Sequence, residues 1–448
     1  MKPVKTIITI CILLISSYSV SAQDTIVYDL DQAIEYGLQH NTSVINAAGE
    51  ISYRQMQTKV TASGYLPQIT SSADYRYNIN LPVSILPGEA FGQPNNTPLE
   101  IQMGTKNAVQ AGINITQPLL APSVLADLNT SGIQVKVAEN QLTATRKNTA
   151  LNIKAAYFKV LLAGENLKLS TAVYKLYLQM AEVTKSRYKN NLITEQDYQR
   201  TINKMQNRKM QVRIDSLTKE NARHELKIKM NYPDNETLNI VDSSILNLAD
   251  LQFEQYIKPY DINKIPDYQS VKLQLDLNYA QQARVKKEYL PSLNAYGFVG
   301  TQYYDAVFQP FQHDLRWHKQ SYVGVRLKLP VFDGLSKSRE KESLLISRDK
   351  LSRQKQTLEN TIDRQAQILK NKIDISLKSA HVQKSDFQIA GSDYQIAIKD
   401  YKTGLANLGD VLNAELDMNM KQQSYLNALF QVLQAVIDYE NLTATYDK

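Results

Sequence analysis

The sequence is short of the residues that build catalytic and metal centres. One cysteine, Cys11, and five histidines, His40, His224, His313, His318 and His381, are spread over 448 residues. No CxxC pair, no HExxH helix and no Gly-rich phosphate loop occurs. His313 and His318, beside Trp317 in "FQPFQHDLRWHKQ", are the one close pair, and no third ligand has matching spacing, so neither a metal site nor a cofactor is expected. Carboxylates are plentiful, but nothing pairs them for general acid and base work, and the chain does not read as an enzyme. Glycine and proline are scarce, 16 and 14 residues, so the glycine turns of an alternating α/β enzyme are missing. Past the first 22 residues no apolar run approaches the ~18 residues that mark a spanning helix. If the chain crosses a membrane it must do so as a closed β-barrel, because hydrocarbon leaves unpaired backbone groups unsatisfied. The net charge of +7 is mild, and its basic residues are interspersed with acidic ones along helices; these are solvated faces, and no nucleic-acid partner is expected.

What is present begins with "MKPVKTIITICILLISSYSVSAQ". Lys2 and Lys5 precede an apolar run from Ile7 to Ile15 and the small-residue pattern Val20-Ser21-Ala22, which predicts a signal peptide over 1–22, cleaved after Ala22. Cleavage would leave a mature chain with no thiol and a formal charge of 7 − 2 = +5.

The chain then repeats itself. "GYLPQITSSADYRYNINLPV" at 64 recurs as "EYLPSLNAYGFVGTQYYDAV" at 288, with Pro67 and Pro291 separated by 291 − 67 = 224 positions. "INITQPLLAPS" recurs as "RLKLPVFDGLS", Pro118 and Pro330 being 330 − 118 = 212 apart, and Tyr188 recurs as Tyr401, 401 − 188 = 213 apart. The spacing shrinks by 224 − 212 = 12 between the paired prolines, which places an insertion in the first copy, at "LPGEAFGQPNNTPLE", a stretch of loop composition. The expected organisation is a first structural repeat over 23–232 with a β-hairpin at about 67–117, a linker over 233–262, and a second repeat over 263–448 with a hairpin at about 291–330.

Within each repeat the hydrophobic period switches. Ile69, Ala73, Tyr75, Tyr77, Ile79 and Leu81 alternate with polar residues, as do Val109, Ala111, Ile113 and Ile115, and then Val323, Val325, Leu327 and Leu329. The remaining strand, "SLNAYGFVGTQYY", has apolar residues on both faces and stays ambiguous. Helical stretches run from about Ser123 to Arg187 and from Ser336, a candidate N-cap, to Lys399; some 65 residues at 1.5 Å each make a rod of roughly 100 Å. Rods with narrow apolar seams pack laterally, in coiled-coil fashion. Four strands are too few to close a membrane barrel, which needs about eight, so several copies must pool them in a ring.

The two-fold repeat, the "YLP" before each hairpin, the "LPVFDGLS" after the second and "YKTGLANLGDVLNAELD" together resemble the TolC family of outer-membrane efflux proteins over essentially the whole mature chain. The resemblance implies a mainly α fold with a membrane β-barrel: a homotrimer in which each chain gives four strands to a twelve-stranded barrel and long helices to a periplasmic α-barrel. It implies a place in the outer membrane, in contact with its lipid and extending into the periplasm. The function would be a passive exit duct of a tripartite efflux pump, driven by an inner-membrane transporter through a periplasmic adaptor. The alternatives are a type I protein secretion duct or a periplasmic coiled-coil adaptor. Turns at Asn190, Asn191 and Leu192 and at Thr403, Gly404 and Leu405 would be the adaptor-docking tips. Asp410 matches the family's constriction, where three symmetry copies would form a carboxylate ring. Tyr401 and Asp197 match a pair whose hydrogen bond helps hold the channel closed. Ala406 and Asn413 depart from the pattern, standing where some members carry a gating Arg and a second acidic ring.

Overall fold

The computed structural model describes residues 27–87, 98–241, 257–308 and 317–443. The signal-peptide segment, the middle of the insertion, residues 242–256 of the linker and His313 lie outside the described residues. Eight strands and seven α-helices follow in the order β1 (Val27–Tyr28), α1 (Leu30–His40), α2 (Thr42–Ser63), β2 (Gln68–Tyr77), β3 (Val83–Pro87), β4 (Pro98–Gln102), β5 (Asn107–Leu120), α3 (Pro122–Lys189), α4 (Glu195–Met230), β6 (Asn239–Ile240), α5 (Pro266–Lys287), β7 (Ser292–Asp305), β8 (Trp317–Lys328), α6 (Ser336–Thr403) and α7 (Leu408–Thr443). Both expected rods are single helices of 68 residues, α3 and α6. Among the described residues no helix is long and apolar enough to cross a membrane.

The chain divides into two compact units. The first draws on the described residues up to Ala48, on Gln141–Tyr268 and on those from Leu358 onward. It is a row of helices whose apolar seams meet: Ile373, Leu377, Leu429 and Val436 join α6 to α7, and Ile153, Tyr157, Leu226 and Met230 join α3 to α4. Three ion pairs at one level give the order of the row: Lys159 of α3 with Glu225 of α4 at 2.9 Å, Lys154 of α3 with Glu440 of α7 at 2.6 Å, and Lys372 of α6 with Asp438 of α7 at 3.0 Å. The sequence α4, α3, α7, α6 across the row follows from them. Such pairs contribute up to about 1 kcal/mol each when exposed, so the apolar seams carry the stability.

The second unit holds Gly49–Asn140 and Gln269–Thr357. Its centre is an antiparallel sheet in the order β2-β5-β7-β8, so β2 and β8 are edges. The "YLP" motif explains how the chain is led into it. Tyr65 donates its hydroxyl to the Ala121 carbonyl at 2.7 Å, and Gln117 Nε2 returns a bond to the Tyr65 carbonyl at 2.7 Å, clamping the start of β2 to the end of β5. In the second repeat Lys337 lies 4.9 Å over the Tyr289 ring.

Register puts Ile69, Ile115, Gly297 and Val323 in one cross-strand row and Asn114, Phe298 and Tyr322 in a neighbouring row on the opposite face. The first face is a continuous aliphatic surface, with Val323 91% exposed. The ambiguous strand, β7, is thereby assigned: Leu293, Ala295 and Val299 share the aliphatic face, and Asn294, Tyr296, Phe298 and Gln302 the polar one. Tyr296 and Phe298 stand on the polar face because glycines make room for them. Phe298 is 2% exposed, stacked on Tyr322 with ring centroids 5.5 Å apart, and a Cβ built on Gly112 or Gly300 would come within 2.5 Å of its Cζ. Tyr296 occupies the space over Gly324 in the same way and carries Arg326 at 4.9 Å.

Three expectations change. β2 ends at Tyr77, short of Ile79 and Leu81, because Asn78 turns the chain by bonding Lys106 and Thr105 carbonyls at 2.8 Å. The insertion is not all loop: β3 and β4 pair as an antiparallel ribbon from Val83↔Gln102 to Pro87↔Pro98. Ser336 is not the cap of α6; after Gly334 and Leu335 in left-handed conformations, the Asp333 carboxylate accepts the Lys337 amide at 3.2 Å. Trp317 and His318 lie at the start of β8.

Gly300→Ala would drive a methyl group into Phe298 and the Ala111 carbonyl. A loss of about 2 kcal/mol is expected, seen as a lower temperature for loss of the heat-modifiable folded form on gels. Val299→Ala, on the open aliphatic face, should move that temperature far less.

Candidate functional site

Two helical turns in the first unit have the same hydrogen-bond pattern. At the end of α3, the Leu192 amide donates to the Arg187 carbonyl at 2.9 Å and the Asn191 amide to that of Tyr188 at 3.0 Å. At the end of α6, Leu405 donates to Asp400 at 2.8 Å and Gly404 to Tyr401 at 3.2 Å. This helix ending needs one left-handed residue, and Asn191 (φ 56) and Gly404 (φ 88) supply it. A side chain at 404 would also crowd the Arg187 guanidinium, 3.3 Å from where its Cβ would stand. Each following helix starts on a reciprocal cap. Thr194 Oγ1 accepts the Asp197 amide at 3.1 Å and donates to the Asp197 carboxylate at 2.9 Å. Asn407 Oδ1 accepts the Asp410 amide at 3.1 Å while the Asp410 carboxylate accepts the Asn407 amide at 2.9 Å. Asn191 and Gly404, Leu192 and Leu405, Thr194 and Asn407, and Asp197 and Asp410 are all 213 positions apart, as 404 − 191 shows for the first. The apolar residue after such an ending commonly packs back on its helix, yet Leu192 and Leu405 are 70% and 83% exposed. Asn190 and Thr403, which flank the left-handed residues, are exposed as well.

The residues singled out from the sequence are thus gathered at two adjacent turns, with one correction. Tyr401 does not bond Asp197 within the chain. Its buried hydroxyl is shared with Thr184 Oγ1 at 3.1 Å, its ring lies under Arg187 at 4.8 Å, and Asp197 is engaged by Thr194 and, at 3.6 Å, by Arg200. Tyr401 therefore ties α6 to α3, the helix leading into the other turn. Asp410 is exposed, and its carboxylate both completes the cap and suits the positive end of α7.

Sequence reasoning missed the strongest polar feature near these turns. Glu415, on α7 and 1% exposed, meets Arg208 of α4 at 2.6 Å and accepts a short hydrogen bond from the hydroxyl of Tyr177 on α3. Tyr394 of α6 is fully buried in the same region, and its hydroxyl has no hydrogen-bond partner among the described residues. All four helices of the row thus surround one carboxylate. Burial, reinforced by the Glu415 charge, pushes the phenols of Tyr177 and Tyr394 well above their ordinary range, so both stay protonated and Tyr177 remains a donor. The signal lay in the heptad: Leu408, Val411, Glu415 and Met418 occupy one face of α7, and a charge at a seam position demands a partner.

Arg208→Met should remove about 3 kcal/mol, since it strands a buried carboxylate. Glu415→Gln, which keeps an acceptor for Tyr177, should lose about 1 kcal/mol. Thermal unfolding followed by circular dichroism in detergent reads the order, and a reversed order would contradict the burial of this carboxylate.

Comparison with known proteins follows the same geography. The family described as outer membrane efflux protein matches residues 33–222 and 262–445, most of the chain. The outer membrane protein TolC of Vibrio cholerae serotype O1 is 31% identical over 130 residues, which span 29% of this chain and 25%, a quarter, of that protein's length. Two solved structures share the fold: the outer membrane channel CmeC of Campylobacter jejuni, with TM-score 0.67 and 17% identity over 92% of this chain and 85% of that one, and the outer membrane protein VceC of Vibrio cholerae, with TM-score 0.68 and 14% identity over 94% of this chain and 97% of that one.

Proposed function

The chain belongs to the outer membrane efflux protein family, and on that premise we propose that it is the outer-membrane duct of a tripartite efflux system, acting as a homotrimer. The observation that carries this reading is the four-stranded sheet with two unpaired edges and one aliphatic face, held in the same chain as the long helices. Three copies supply 3 × 4 = 12 strands and close the ring. Its aliphatic surface then faces lipid, and Arg76, Gln110, Asn114 and Arg326 face an aqueous lumen. The helices continue the ring as a periplasmic tube. Cargo moves through it passively, driven by an inner-membrane transporter.

The exposed turns are the surface offered to a periplasmic adaptor. Leu192 and Leu405 provide apolar contact, and Asn190, Asn191, Thr403 and Gly404 provide polar and backbone groups around them. Asp410, repeated by three-fold symmetry, sets three carboxylates around the axis, favouring cations and opposing anions. Tyr401, through Thr184, and the Glu415 cluster hold the two hairpins together and so keep the tube narrow at this level. The two structural repeats, 23–232 and 263–448, each provide one β-hairpin and one helical hairpin, joined through the linker at 233–262.

The purified mature protein should sediment as a trimer in mild detergent and form cation-selective pores in planar bilayers. Asp410→Asn keeps an oxygen for the Asn407 amide while removing the charge, and should reduce cation preference severalfold with the fold intact. Unchanged selectivity would remove Asp410 from the constriction, and a monomer without conductance would end the duct reading.

A further inference from the structure

The polar face of the four-stranded sheet is uneven in charge. Among the described residues of β2, β5, β7 and β8, the charged side chains on this face are Asp74, Arg76, Arg326 and Lys328, three cations against one carboxylate. Asp74 shares a cross-strand row with Gln110, Gln302 and His318, whereas Arg326 shares one with Asn294. Positions 302 and 294 stand eight residues apart on β7, roughly 27 Å along an extended strand, so Asp74 is too distant to neutralise Arg326. Among the described residues Arg326 has no carboxylate partner; it is exposed and lies over the Tyr296 ring at 4.9 Å.

A line of rings leads away from that guanidinium. Tyr322, four positions before Arg326 on β8 and on the same face, is stacked on Phe298 with centroids 5.5 Å apart and meets Tyr296 edge-on at 6.1 Å. Two of the three rings have a task within the sheet, since Phe298 fills the recess over Gly112 and Gly300 and Tyr296 the one over Gly324. Tyr322 has none. Among the described residues its ring covers no glycine, and it is 46% exposed. Because Tyr296 touches both, the Tyr322 ring and the Arg326 guanidinium carbon lie no more than 6.1 + 4.9 = 11.0 Å apart. Lys328 follows on the same face, two positions beyond. An open aromatic ring accepts another flat ring by offset stacking. A guanidinium without a counter-ion presents a fork of donors that matches a carboxylate. One ligand that carries both a ring and an acid within that span would engage both groups.

We propose that Tyr322, Tyr296 and Arg326 form a binding strip in the barrel lumen for amphipathic aromatic acids, the ring resting on Tyr322 and the carboxylate on Arg326, with Lys328 adding to the attraction. This rests on the duct reading, which turns the polar face toward the lumen, and adds to it a class of cargo that the barrel holds on the way out. The test uses pyrenebutyrate, added to both chambers of a planar bilayer that contains the purified mature protein. The current should fall with probe concentration. Octanoate, an acid without a ring, and a pyrenyl trimethylammonium of the same length, a ring without an acid, should both block only at higher concentration. Tyr322→Ser and Arg326→Gln, each compared with its own probe-free current, should raise the half-blocking concentration of pyrenebutyrate about fivefold. Arg326→Lys keeps the charge and should raise it less. A conducting pore that pyrenebutyrate does not block, or blocks equally in the wild type and in both of the first two variants, overturns the strip and leaves the duct standing. Equal block by the pyrenyl cation does the same, because the guanidinium then selects nothing. A protein that carries no current fails the duct reading, and the strip falls with it.

Discussion

A strand edge exposes backbone N–H and C=O groups that hydrocarbon cannot solvate, and the sheet of this chain has two such edges, β2 and β8. The rest of the architecture follows from satisfying them. One chain cannot curl four strands into a closed barrel, so the edges must be met by identical neighbours. The exposed aliphatic face of the sheet is intelligible in the same terms, since such a surface suits lipid.

Inside the chain, the counterpart of this external constraint is the buried carboxylate of Glu415. Removing a charge from water is costly unless its partners converge on it, and here they come from helices of both hairpins. The arrangement links α4 and α3 to α7 close to the turns, while Tyr401 links α6 to α3. The surrounding seam, Val173, Tyr177, Met180, Ile398 and Val411, is apolar and would tolerate sliding; a directional charge pair at its centre sets one register.

Much of this was legible in the sequence, and the failures have physical causes. The rods were readable because helix breakers are absent over long stretches, and the turns because Asn191 and Gly404 mark left-handed positions. β5 and β8 were readable because their alternation is strict. β7 was not, since Phe298 and Tyr296 sit on the polar face in recesses left by Gly112, Gly300 and Gly324, and those recesses come from three strands that only pairing brings together. The β3 and β4 ribbon was hidden because Pro87 and Pro98, its last described pair, give turn composition to residues that are extended. The bond between Tyr401 and Asp197 that the resemblance implies is not made within the chain, where the Tyr401 hydroxyl is shared with Thr184 instead. Glu415 was visible as an anomaly in a heptad, whereas Arg208 and Tyr177 could be identified only from the packing.

Among the described residues the β3 and β4 ribbon occurs in only one of the two repeats, whereas the backbone of the helical turn is common to both. In a trimer that makes three ribbons and six turns of one backbone shape. A visitor that grips main-chain groups at the turns encounters a sixfold array of near-equal seats. One that feels for the side chain distinguishes asparagine from glycine and finds two alternating sets of three. Gene duplication has thus given the assembly two symmetries to offer, and the choice between them rests on the side chains by which the turns differ, such as asparagine at 191 against glycine at 404.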